Sequence, residues 1–142
     1  MADIGKTSLK GIFHEEFQYS FLLKAGIVEA DEGKAVSLDT SVANTVKLAT
    51  DGDVIVGKLE RVEDRSIAGT LLGTISLFGG MEFLTNPDVT AGVQTPVIGT
   101  YLEGAEDDTG TPVEGYVQGV AGPTKWLVVE IVSATKCIAI AT

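Results

Sequence analysis

Apolar and polar residues alternate with a period of two along most of this 142-residue chain, and glycine, proline, asparagine and aspartate interrupt the pattern at short intervals. In Asn44 to Ala49, Val46 and Leu48 fall on one face and Thr45, Lys47 and Ala49 on the other, as in a half-buried strand. Asp51-Gly52 follows at once. An Asp-Gly pair between two extended runs predicts a type I′ hairpin turn, because both central positions need positive φ and glycine supplies it without steric cost. Val54-Ile55-Val56 is then expected to re-enter the sheet, so that Gly33 to Arg65 reads as three short strands joined by turns.

The ladder continues beyond that block. Gly69 to Phe78 places Leu71, Ile75 and Leu77 on one face and Thr70, Thr74 and Ser76 on the other, with Leu72 as the exception. Gly79-Gly80 is expected to turn the chain so that Met81 to Leu84 pairs back on it, and Asn86-Pro87-Asp88 ends that run. Val97 to Leu102 reads as the next strand, EGAEDDTGTP from Glu103 as a polar, acidic loop, and Val113 to Val120 as a further strand closed by the turn Ala121-Gly122-Pro123. Trp126 to Val132 is nearly continuous apolar sequence, which predicts a central strand covered on both faces, with Ile138 to Ala141 returning beside it. Strands recurring every ~8–12 residues with turn signals between them predict an all-β protein, a small single-domain β-barrel or sandwich.

The first two dozen residues follow a different pattern. Phe13, Phe17, Tyr19 and Phe21, four of the nine aromatic residues, lie within nine positions. Phe17, Tyr19, Phe21 and Leu23 alternate as in a strand, while Phe13, Phe17 and Phe21 would also line one helix face. Gly11 and the aromatic content favour an extended segment from Phe17 onward. The division expected is therefore an N-terminal arm over residues 1–16 and a β-barrel or sandwich over 17–142. Ile12, Phe13, Phe17, Tyr19 and Phe21 are the candidate contact residues, either covering one end of the core or anchoring the arm on a neighbouring subunit or capsid.

The order of a Gly-led AVSLD strand, an NTVKLA strand, a TDGD turn and a VIVGKLE strand resembles the capsid decoration, or cement, proteins of tailed bacteriophages, and the likeness extends more loosely to Ala139. The resemblance implies a structural virion protein without catalytic residues or cofactors. Such a protein would bind the major capsid protein on the outer surface of the shell and bridge adjacent capsomers against internal DNA pressure, with a homotrimer as its unit. The alternative carried beside it is a ligand-binding or carbohydrate-binding β-module of a virion or surface assembly, which exposed aromatics gathered in a groove would favour.

Composition narrows the choice. At 44% hydrophobic residues the chain has enough apolar surface for a core, and 17 glycines suit many turns and bulges better than helices. The net charge is −10, and between Arg65 and Lys125 there is no lysine or arginine while seven acids fall there, so a nucleic-acid partner is disfavoured. The N-terminal residues carry no signal-peptide pattern and no run of about 18 apolar residues occurs, so no membrane partner is expected, and the site of assembly is expected to be the host cytoplasm. Cys137, the single cysteine, lies in the apolar run KCIAIA and is expected to be buried.

Apparent motifs dissolve on inspection. His14-Glu15-Glu16 lacks the second histidine of a helical zinc site, and GVAGPTK has Pro-Thr where a phosphate loop needs Gly adjacent to Lys. The acidic loop lacks alternating calcium ligands, and turn formation explains Asp51 and Asp53. No metal, cofactor or catalytic residue is expected.

Overall fold

Alternation becomes ten strands and one 3-10 turn in a computed structural model that describes residues 18–65, 70–85, 95–106 and 112–142. The strands are β1 (Gln18–Leu23), β2 (Ala35–Leu38), β3 (Thr45–Leu48), β4 (Gly57–Arg65), β5 (Thr70–Ser76), β6 (Gly80–Leu84), β7 (Tyr101–Glu106), β8 (Pro112–Val120), β9 (Trp126–Ser133) and β10 (Lys136–Ala141). The first five close into a barrel in the order β1-β3-β2-β4-β5, with antiparallel β5–β1 pairing completing the circle and β1–β3 the parallel contact. The second five form a sheet in the order β6-β10-β9-β7-β8, and a bridge between Thr85 and Val117 draws its edges toward each other, so it curls. The all-β barrel expectation is met.

Each sheet encloses its own apolar core, and β2 is the wall between them. Its alternation sends Val36 into the barrel with Leu23, Val46, Leu59 and Ile75, and sends Ala35 outward to the core of the second sheet. That second core centres on Trp126, fully buried, with its ring edge-on to Phe83 at 5.0 Å between centroids. Val117, Val128, Cys137 and Ala139 surround the pair. The buried Cys137 agrees with expectation, and burial together with the charge of Glu82 pushes its thiol up to about 12, which keeps it protonated and unreactive.

Several sequence-based expectations need correction. Val54 to Val56 is extended but pairs in no strand ladder, and β3 and β4 form no hairpin, since β2 lies between them. The carbonyls of Ile55 and Val56 are instead taken by side chains at the start of β9, Trp126 Nε1 at 3.0 Å and, from the residue before it, Lys125 Nζ at 2.9 Å. Met81 to Leu84 lies in β6 and pairs with β10, not with the strand before it, so Gly79-Gly80 passes the chain from one sheet to the other. Glu103 to Glu106 belongs to β7 and not to a loop, because Leu102 and Gly104 keep the inward alternation while buried Gln118 donates to Glu103 and accepts from the Glu106 N–H. Finally, β9 is buried only over its first three residues. The register with β10 skips Val129 and Val132, two bulges that break the alternation and turn the strand away from the core.

Candidate functional site

The barrel and the curled sheet meet at the segment Ala49–Val56, and the polar chemistry of the described residues concentrates there. Thr50 to Asp53 forms a tight turn closed by Asp53 N–H donating to Thr50 O at 2.9 Å, with positive φ at Asp51 (41°) and Gly52 (76°). These are the dihedral signs the Asp-Gly pair predicts, in a turn that serves another purpose. Asp51 N–H donates to Ala105 O, Gly52 N–H to Gly104 O, and Gly104 N–H back to Asp53 O, so the turn is stitched to β7 across the gap between sheets.

Asp53 is the hub of that turn. Its Oδ2 accepts from the Thr50 N–H at 3.0 Å, Lys47 Nζ at 2.8 Å and Ser37 Oγ at 3.3 Å, gathering β2, β3 and the turn on one carboxylate. A second tie lies nearby. Gly115 N–H donates to Ala49 O at 2.7 Å, and a Cβ at Gly115, whose φ is 85°, would fall 2.6–2.9 Å from the Lys34 stem. The Lys34 ammonium in turn donates to Asp31 at 2.9 Å and lies 5.7 Å from the centre of the Tyr116 ring. Burial raises the Asp31 carboxyl, but the Lys34 hydrogen bond, the Val28 N–H and the Lys34 charge outweigh it and hold the group below its ordinary value. The third tie is Lys125. Its ammonium meets the Val56 carbonyl and lies 4.8 Å and 5.2 Å from the ring centres of Phe78 and Trp126, and desolvation lowers its pKa.

A cleft of about 450 Å³ opens beside the joint, lined by Lys24, Asp31, Lys34, Lys47, Thr50 and Glu114 among others. Two of its three ammonium groups are engaged, Lys34 by Asp31 and Lys47 by Asp53, and no aromatic ring lines it. The cleft therefore lacks the gathered aromatics that would favour a carbohydrate module. Among the described residues no group of three His, Cys, Asp or Glu side chains is placed to hold a metal ion.

Of the sequence-predicted contact residues, Ile12, Phe13 and Phe17 lie outside the described residues, as do Asp107 and Asp108 of the acidic loop. Tyr19 and Phe21 are both in β1 and part company: Tyr19 is 47% exposed, while Phe21 packs against the barrel core. The Lys34–Asp31 tie, the Lys125 cage and the exposed pair Val97–Ile98 escaped the sequence reading, which took Val97 and Ile98 for the start of a strand. Gly99, with φ 90°, marks them as a turn. No protein-family model matches the chain, and no curated protein or solved structure matches it either.

Proposed function

We propose that this chain is a structural, non-enzymatic virion protein that binds the outer face of a tailed-phage capsid and bridges adjacent capsomers, with a homotrimer as its assembly unit. The observation that carries the reading is the use made of the stretch that resembles decoration proteins. Its turn and its polar side chains, Ser37, Lys47, Thr50 and Asp53, are engaged in joining two sheets. The same holds for Lys34, Asp31 and Lys125. Side chains engaged in this way hold a scaffold together, and the work is left to its exposed surface. The chain is acidic overall, and exposed apolar side chains are spread over both sheets and their loops, among them Tyr19, Val42, Val54, Ile98 and Ile131. Docking through that surface would bury area across several capsid subunits, and that area supplies the energy that resists expansion of the shell.

Mass spectrometry of gradient-purified phage particles from the source host tests this reading. The expected result is the chain in the particle fraction at a fixed ratio to the major capsid protein, lost when high salt or mild denaturant strips the outer surface. Recovery only from the soluble lysate, with none in particles, would overturn it.

A further inference from the structure

We propose that the cleft beside the joint binds a small zwitterion, an amino acid or short peptide whose carboxylate meets Lys24 and whose ammonium group meets Glu114. The site stands independently of the capsid-binding reading. Its volume of about 450 Å³ lies within the ~300–1,000 Å³ of small-molecule sites. Lys24 comes from the barrel. In the parallel β1–β3 pairing Leu23 lies opposite Val46, and both belong to the barrel core. Alternation therefore sends the residues that follow them, Lys24 and Lys47, to the outer surface side by side, and Lys24 N–H donating to Val46 O at 2.9 Å carries the pairing that far. Asp53 takes the Lys47 ammonium at 2.8 Å. The Lys24 ammonium has no hydrogen bond or ion pair among the described residues, and Asp39, an acid that its charge reaches, is occupied by the Ser41 N–H at 3.0 Å and Ser41 Oγ at 2.6 Å.

Glu114 comes from the other sheet. Gly115 N–H on Ala49 O at 2.7 Å fastens β8 to the segment next to Thr50, and Glu114 is exposed, with no hydrogen bond or ion pair among the described residues. The second acid of the cleft, Asp31, is taken by Lys34 at 2.9 Å. One unpaired cation and one unpaired acid thus line the same cavity from different sheets and form no ion pair with each other. Thr50 adds a third uncommitted group: its Oγ1 is buried and lacks a hydrogen-bond partner, the one such side-chain atom among the described residues. Buried hydroxyls are nearly always bonded, and a polar ligand atom in the cleft supplies the missing partner after a rotation about χ1. These groups select the ligand. A polyanion would meet Asp31 and Glu114 on a molecule of net charge −10, and a bare cation would meet three lysines, whereas a molecule with one charge of each sign satisfies both free groups. Ile27, Val28 and Leu48 supply apolar wall for its side chain.

The test is an NMR titration of the ¹⁵N-labelled full-length protein with four probes: leucine, the dipeptide Leu-Leu, N-acetyl-leucine, which lacks the ammonium group, and leucinamide, which lacks the carboxylate. Leucine or Leu-Leu is expected to shift the amides of Gly26, Leu48 and Thr50 saturably, and the tighter of the two tells an amino acid from a peptide as the source of the zwitterion. N-acetyl-leucine and leucinamide should each bind at least tenfold more weakly. Lys24→Gln and Glu114→Gln should each lose a similar factor with unchanged thermal melts, while Lys24→Arg, which keeps the charge, and Glu130→Gln, on the exposed part of β9, stay within about threefold. The losses should shrink as salt rises. No saturable shift from leucine or Leu-Leu below about 10 mM would overturn the site. N-acetyl-leucine binding as tightly as leucine would reduce the cleft to a general anion site and overturn the assignment, as would equal affinities for wild type and Glu114→Gln.

Discussion

Single residues decide how closely the two sheets approach. A Cβ at Gly104 would lie 2.7–2.9 Å from the backbone N, O and C of Thr50, atoms that cannot swing aside as a side-chain tip can. Gly104→Ala is therefore expected to cost about 1–3 kcal/mol, the usual range for overpacking a close contact. Gly122→Ala, with nothing within 4 Å, should stay within about 0.5 kcal/mol of wild type. Urea denaturation of the two variants checks the contrast, and equal stabilities would show that the joint yields more readily than its geometry implies. Asp31 gives the joint a pH dependence. Its folded pKa lies below the unfolded value of 3.8, so its contribution is complete above that value and disappears as pH falls through the folded one. Asp31→Asn should accordingly be less stable than wild type at neutral pH, with the difference closing below about pH 3.8. A gap that persists unchanged at lower pH would mean that shape, and not charge, accounts for the residue. Lys125 follows the same direction with pH for a different reason: desolvation lowers its pKa from 10.5, so the charged group costs stability at neutral pH and stability gains as pH rises toward that value.

Elements were legible in the sequence where a single strand and a single core decide burial. The alternation around Val46, the inward Ile75 and the buried Cys137 all follow from period and composition. Pairing was not legible, because period two states which residues share a face and not which strand lies alongside. Ile55 alternates as a strand residue should, yet a tryptophan from a strand 71 positions later takes its carbonyl. Likewise, the apolar run of β9 reads as a covered central strand because bulges leave no mark in composition. The Asp51-Gly52 turn separates the two accounts experimentally. In a free hairpin tip the amides of Asp51 and Gly52 would exchange at unprotected rates. Here they donate to Ala105 and Gly104, and hydrogen exchange should find both as slow as the β7 amides around Leu102. Fast exchange at these two amides would mean the turn does not join the sheets.

At the scale of the whole molecule, the barrel and the curled sheet form one scaffold joined by hydrogen bonds around the segment Ala49–Val56. The resemblance carried by residues 33–65 implies a structural surface. It did not anticipate where the apolar surface lies, since Val97 and Ile98 look like strand residues until Gly99 turns the chain. The cleft beside the joint was equally hidden, because Lys24, Lys47 and Glu114 come from distant strands and loops that only the topology brings together. The central claim, that this scaffold decorates the outside of a capsid, is tested most directly by a cryo-electron microscopy reconstruction of the source particle. The account predicts density for paired five-stranded sheets at regular lattice positions on the outer shell, in threefold groups. A shell whose outer surface lacks that density, in particles made while the chain is expressed, would contradict it.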